Sequence, residues 1–267
     1  MKLVVKLGGT LLDSDDSRRR IAHELAAVHS AHQLVVVHGG GKQMTRFLEE
    51  RGIQSTFVNG LRVTTEETLD ALIKVLAGSV NQHLVASLIE AGAMAVGLSG
   101  VDANLVVAKQ MDPALGAVGQ VTHSRGELLG LLTENRFLPV VACLAGDGRG
   151  GFFNVNGDQM AVACATAFEA DRLVFVTDVA GVLDGHNRTI PHLDPPGIER
   201  LIGSGVAKGG MQAKLNAAVS ALNCGVKDVC IVAGQCAGVI AELLAGRVHG
   251  TRIASDVASR HPTEVAQ

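Results

Sequence analysis

Residues Val35–Lys42 read VVVHGGGK. Three β-branched residues run into His38, and three consecutive glycines follow. An apolar run stopped by glycines and followed by an amphipathic segment reads as a strand, a tight loop and a helix start. Glycine lets main-chain N–H groups approach an anion without a Cβ in the way, and the helix N-terminus beyond adds positive potential. The loop is not a Walker A, because the GxxxxGK[ST] spacing is missing and Lys42 is followed by Gln43. Nor is it GxGxxG. Two readings stay open: an anion-binding loop, or a tight strand–helix turn with no ligand.

The same grammar recurs on both sides of this stretch. Leu3–Lys6 is a short apolar run ending in a lysine, with Gly8 and Gly9 after it. Ser17–Ser30 places Ile21, Leu25 and Val28 on one helical face, Gln33–Val37 is the second strand, and Gln43–Arg51 is helical up to Gly52. This βαβα opening carries Gly loops at strand C-terminal ends, the edge where open α/β sheets bind ligands. Residues 65–92 carry apolar side chains at spacing three and four, a long helix. Gly78 in its middle costs about 1 kcal/mol against Ala, which points to a kink or to close approach, such as a helix from another subunit. Further strands are expected at Met94–Leu98, Leu105–Lys109, Phe137–Ala142, Arg172–Val176 and Asp228–Val232, with Gly116–Val121 as an antiparallel partner. Helices are expected at Arg125–Glu134, Gln159–Phe168, Gln212–Asn223 and Val239–Leu244. The strand–loop–strand pattern restarts near Asp171, so the chain divides into lobes 1–170 and 171–267.

Composition narrows the class. Apolar residues make up 47% of the 267 residues, but aromatics only 3%, with no Trp or Tyr. The core is therefore Val, Leu, Ile and Ala, as in a buried parallel sheet covered on both faces. Few aromatics argue against base stacking, and a net charge of −3 without a basic block argues against a nucleic-acid partner. The five cysteines form no CxxC pair and read as buried free thiols. The N-terminus has no signal-peptide pattern, and no run approaches the ~20 apolar residues of a membrane span. A cytoplasmic protein that touches no membrane is expected. The histidines, including His83 and His123, show no ligand spacing, so no protein-held metal is expected.

Charged residues gather at the Gly-rich turns. Lys6 precedes one, Lys42 follows another, and Lys208 precedes a third, with Lys214 beyond it. Lys214 is expected in the first turn of its helix, where it opposes the helix dipole unless an anion sits there. Asn154, Asn156 and Asp158 recur at spacing two before a helix. Asp158 suits a helix cap, yet three polar residues exceed what a cap requires. Arg62 lies between apolar neighbours in a loop, as a solvated charge or as an anion fork. Together these groups describe a polyanion site without a P-loop.

At this point the sequence resembles the amino acid kinase superfamily, and within it the N-acetylglutamate kinases, over nearly its whole length. The motifs occur in order as VVKLGG (4–9), VVVHGGGK (35–42), NGLRVT (59–64), LAGSVNQHLV (76–85), VGLSGVD (96–102), FFNVNGDQMA (152–161), VFVTDVAGVL (174–183) and KGGMQAKLNAA (208–218). NGLRVT, NVNGD and GGMxxK set it apart from carbamate, uridylate and aspartate kinases. The resemblance implies an α/β three-layer αβα sandwich with a mainly parallel central sheet in two lobes, the first binding the acceptor and dimerising, the second binding the nucleotide. It implies ATP with Mg²⁺, and N-acetyl-L-glutamate as acceptor of the γ-phosphoryl group in arginine biosynthesis. Lys6 and Lys214 would contact the transferred phosphoryl, and Asp158 would orient both. Gly40, Gly41, Arg62 and Asn154 would bind the acceptor. Gly8, Gly9, Thr177, Asp178, Gly181, Val182, Leu183, Lys208, Gly209 and Met211 would bind the nucleotide.

The sequence departs from the family in two places. It begins only a few residues before the first strand, whereas arginine-inhibited members carry an extra N-terminal helix that builds a hexamer, so an arginine-insensitive homodimer is expected. Many members have Ile-Pro where this chain has Gln212 and Ala213. A kinase for acetylated or carrier-bound α-aminoadipate shares most of the motifs, and one methylene in the acceptor pocket is worth only ~1–3 kcal/mol. Two other classes fit less well. A dinucleotide oxidoreductase needs GxGxxG, which neither loop provides. A non-catalytic amino-acid sensor would not need every charged site position.

Overall fold

A computed structural model describes residues 1–247 and 250–255. In the first half the elements are β1 (Lys2–Leu7), α1 (Asp15–Ala31), β2 (Gln33–His38), α2 (Gly41–Glu49), β3 (Phe57–Val58), β4 (Leu61–Arg62) and α3 (Glu66–Leu72). A π-helix (Ile73–Val80) joins α3 to α4 (Asn81–Glu90), followed by β5 (Met94–Ser99), β6 (Val106–Gln110) and β7 (Gly119–Ser124). Then come α5 (Glu127–Glu134), β8 (Phe137–Ala142), β9 (Leu144–Gly146), β10 (Phe152–Asn154) and α6 (Gly157–Ala167). The second half holds β11 (Arg172–Thr177), β12 (His192–Leu193), α7 (Pro195–Gly203), α8 (Gly209–Asn223), β13 (Asp228–Ala233), α9 (Val239–Leu244) and β14 (Thr251–Ile253).

Eight strands form one sheet in the order β12-β14-β13-β11-β1-β2-β8-β5. Only the β13–β14 pairing is antiparallel. The chain builds from β1 through β2 toward one edge and then returns to lay β11 on the other side of β1. That reversal makes the crevice between β1 and β11 a topological switch point, where open α/β sheets bind ligands beyond the strands' carboxyl ends. The expected antiparallel excursion is a four-stranded sheet, β10-β9-β6-β7.

Period-two alternation decides which layer each side chain meets. Leu3, Val5 and Leu7 of β1 and Leu34 and Val36 of β2 enter the core packed by α1, α4 and α9. Val4, Val35 and Val37 enter the opposite core, with Met160 of α6 and Leu215 of α8. Lys6, two residues after Val4, therefore faces the α6–α8 layer. The αβα sandwich is thus as expected, and the sheet runs without a break across residue 171.

Several sequence expectations are corrected. Helix α6 begins at Gly157, capped by the Asn156 side chain, which accepts from the N–H groups of Asp158 and Gln159. Asp158 is therefore inside the helix and is not its cap. Helix α8 begins at Gly209, which moves Lys214 into the second turn. A Cβ at Gly78 would meet only the Ile73 carbonyl, at 3.9 Å, so no segment among the described residues approaches it closely. The irregularity there is the π-helix, whose wider turn shifts the helix face. Cys143, Cys164 and Cys230 are buried, but Cys224 and Cys236 are exposed. Both lie in turns just beyond α8 and β13, where apolar neighbours in sequence do not produce burial. The helical run Glu66–Glu90 is long and apolar enough, by length and composition, to cross a membrane, contrary to expectation. Here it is a core helix, with Leu84 and Leu88 wholly buried.

Candidate active site

Three parallel strands, β1, β2 and β11, end side by side, with Leu7 registered against both His38 and Val176. Lys6 stands one residue before the end of β1. Its Nζ lies 2.8 Å from Asp158 Oδ1, while Lys214 Nζ donates to Asp158 Oδ2 at 2.9 Å. Two ammonium groups from β1 and α8 thus share one carboxylate on α6, and all three side chains are mostly buried. Gly157 makes this possible: a Cβ there would stand 3.1 Å from Lys6 Cε. Burial raises the Asp158 pKa, but the two lysines outweigh it and hold the carboxyl below its ordinary value. Burial lowers the Lys214 pKa, and Asp158 only partly restores it.

Beside this triad is a cavity of about 180 Å³ lined by Gly40, Gly41, Arg62 and Asn154, together with apolar Leu72 and Leu76. All four residues expected to hold the acceptor therefore meet in one place. Arg62 is on β4 and is buried; its guanidinium donates to Thr45 Oγ1 at 2.8 Å, to Gly41 O at 3.2 Å and to Ser55 Oγ, and packs over the Phe57 ring. Its burial sets aside the solvated-charge reading. Asn154 Nδ2 donates to Thr64 Oγ1 at 3.0 Å. A wider cleft of about 780 Å³ holds Asp158, Lys214 and Gly209, and Asn156 lines both spaces.

The nucleotide-side residues are less uniformly placed. Gly8 N–H donates to Val176 O at 2.9 Å. A Cβ on Gly9 would come within 3.2 Å of Gly41 N, which brings the two Gly loops into contact where a group could pass between them. Thr177 ends β11, and Asp178 and Leu183 are exposed. Val182 is buried, with its N–H on Thr251 Oγ1 and its carbonyl on Ile190 N–H. Gly181 is also buried, against Thr189 and Thr251. Lys208 and Gly209 are exposed, and Met211 partly so, at the start of α8, whose cap position offers no side-chain hydrogen bond. That leaves orphan N–H groups and the positive end of a helix dipole facing the cleft. Among the described residues no group of three His, Cys, Asp or Glu is arranged to hold a metal ion.

Sequence reasoning missed three residues here. Thr45 and Ser55 fix Arg62, and Asn156 caps α6 between the two spaces. Only Asn156 left a signal, its place in the spacing-two run.

A model of the amino acid kinase family matches residues 1–233. The chain is 59% identical over 254 residues to an acetylglutamate kinase of Solibacter usitatus, covering 95% of this chain and 99% of that one. It is 42% identical to an acetylglutamate kinase of Acidobacterium capsulatum, at 95% and 99% coverage. Among solved structures it resembles an N-acetylglutamate synthase from Neisseria gonorrhoeae complexed with coenzyme A and N-acetyl-glutamate, with TM-score 0.84 and 24% identity. The match covers 94% of this chain but only 59% of that one. A carbamate kinase from Giardia lamblia bound to AMP-PNP has TM-score 0.71 and 18% identity, at 95% and 98% coverage. These two likenesses concern the fold alone. The chain belongs to the amino acid kinase family and, within it, to the acetylglutamate kinases.

Proposed function

We propose that the chain transfers the γ-phosphoryl group of MgATP to the γ-carboxylate of N-acetyl-L-glutamate, giving N-acetyl-L-glutamyl 5-phosphate for arginine biosynthesis. The observation that carries this is the Lys6–Asp158–Lys214 triad beside the cavity of Arg62 and Asn154. The acceptor is a carboxylate, already ionised at neutral pH, so no general base is required. Catalysis reduces to alignment and neutralisation of charge on the moving phosphoryl. Lys6 and Lys214 supply that charge from two sides, and Asp158 fixes both ammonium groups. Arg62 takes the α-carboxylate, and Asn154 takes the acetylated amine. The Gly9 loop and the α8 start take the phosphates, with Mg²⁺ arriving on the nucleotide. Thr177 to Leu183 border the base and ribose, Gly181 and Val182 by shaping the loop.

Residues 1–170 form the acceptor lobe in this reading and 171–267 the nucleotide lobe, of which 248–249 and 256–267 lie outside the described residues. The chain pairs as a cytoplasmic homodimer. Supporting this, β5 ends the sheet with one side unpaired among the described residues, and its Met94 and the nearby Ile89 are exposed. Purified protein with MgATP and N-acetylglutamate, trapped with hydroxylamine, should give the acyl hydroxamate. Faster trapping with N-acetyl-α-aminoadipate would reassign the acceptor, and no trapping with either would refute the kinase reading.

A further inference from the structure

His38, the last residue of β2, is wholly buried, and the mechanism above gives it no role. Its ring lies behind the acceptor loop. Nδ1 is 2.8 Å from Gly39 O, and Nε2 is 3.0 Å from Asn81 Nδ2. Asn81, itself buried, is the first residue after the π-helix. The same Nδ2 donates to Val140 O at 2.9 Å and lies 3.5 Å from Leu98 O. Turning the amide over would set its oxygen against those carbonyls, so the NH₂ group must face the ring. Nε2 then accepts, Nδ1 carries the proton, and that proton can only go to Gly39 O. Gly97 leaves room for this: a Cβ there would stand 2.1 Å from Asn81 Oδ1. On the other side, Cys143 Sγ donates to His38 O at 2.9 Å. Burial pushes that thiol up to about 12, so it keeps its proton.

The consequence follows from peptide geometry. In a trans peptide the C=O and the next N–H point in opposite directions, and no peptide bond in the described chain is cis. Holding the Gly39 carbonyl against the ring turns the Gly40 N–H away from it, toward the cavity that Gly39, Gly40 and Gly41 line. That N–H makes no backbone hydrogen bond among the described residues. We infer that His38 and Asn81 are positioning residues, a buried relay that fixes the tilt of the Gly39–Gly40 peptide so that the Gly40 N–H meets the acceptor's anionic oxygen. This rests on the kinase reading above for what occupies the cavity. It also links the acceptor loop to α4, so that displacement of the π-helix is felt at the site.

The test has two parts. In the wild-type protein, labelled with ¹⁵N-histidine, a multiple-bond ¹H–¹⁵N spectrum should show one imidazole with protonated Nδ1 and bare Nε2 that does not titrate between pH 6 and 8 (pH values on the order of the ordinary imidazole range). The Nε2–H tautomer at His38 would overturn the relay. In steady-state kinetics, His38→Leu and Asn81→Ala should each lower kcat/KM for N-acetylglutamate about tenfold or more, by analogy with the loss of an aimed N–H donor. The KM for MgATP should stay within about twofold, because in this reading the peptide serves the acceptor. His38→Asn, whose amide can replace the Nδ1–H, should recover most of the loss. Unchanged acceptor kcat/KM, or equal losses for both substrates, would reduce the pair to a structural role. If the Leu variant does not fold, the wild-type spectrum and Asn81→Ala decide on the same criteria. A wild-type protein that makes no acyl phosphate would instead sink the kinase reading, leaving the tautomer to be judged alone.

Discussion

The acceptor side and the nucleotide side of the cleft are built differently. On the proposed acceptor side the polar groups are buried or half-buried and already held: Arg62 by Thr45, Ser55 and Gly41, Asn154 by Thr64, and Lys6 and Lys214 by Asp158. On the nucleotide side Asp178, Lys208 and Gly209 are solvated, and Gly209 sits at φ +54°, a backbone region that suits glycine. The difference teaches where binding energy goes. In the proposed reading a preorganised pocket loses little entropy when the acceptor enters, whereas exposed side chains lose rotamer freedom when the nucleotide engages them. Hydrogen exchange should reflect this: a nucleotide analogue should protect 177–183 and 205–211, while N-acetylglutamate should change the acceptor loops little. Equal protection on both sides would erase the contrast.

The largest effect should come from the junction between the two sides. Asp158→Ala leaves two buried ammonium groups facing each other, and breaking such a buried pair costs about 3–5 kcal/mol. Its thermal midpoint and its turnover should both fall sharply, and a variant with wild-type melting would show that Asp158 holds nothing. Next is the pH dependence of stability. Burial pushes the His38 pKa down to about 4 from an unfolded value of 6.5, with the Gly39 contact opposing only in part. The unfolded chain therefore binds more protons between those values, so stability is complete above pH 6.5 and falls as pH drops toward 4. The loss is about 3 kcal/mol at its limit. Urea melts should show it, and His38→Asn should flatten that part of the curve.

In the proposed reading Arg62→Ala removes a charged, buried hydrogen-bonding partner of the acceptor, worth about 1.5–3 kcal/mol. The acceptor KM should rise by about 10- to 100-fold while the nucleotide KM holds, and a rise in both would mean that Arg62 supports the whole cleft. The smallest effect belongs to the solvated side. Lys208→Ala should raise the nucleotide KM only a few-fold, because an exposed charge is worth about 1 kcal/mol or less.

What the sequence made legible was local. VVVHGGGK announced a strand, a Gly loop and a helix because the three are covalently contiguous, and the sandwich followed from Val-rich strands alternating with amphipathic helices. Arg62, Asn154, Asp158 and Lys214 could be singled out by type and spacing. Their partners could not: Asn81 meets His38 across 43 positions, and Ser55 and Thr45 look like any polar loop or helix residues. The face toward which Lys6 points became clear only when Val4 was seen in the α6–α8 core. Nor is it legible in the sequence that main-chain groups of Gly8 and Val182 are engaged within the protein, on Val176, Thr251 and Ile190.

The central claim is that two lysines from distant parts of the chain neutralise the phosphoryl group as it moves. Its most direct test is single-turnover acyl phosphate formation by Lys6→Ala and Lys214→Ala, with both substrates saturating and folding checked by melting. The account predicts that each variant stays folded, binds both substrates and loses about 100-fold or more in the chemical step. A folded variant of either kind that forms acyl phosphate at the wild-type rate would contradict it.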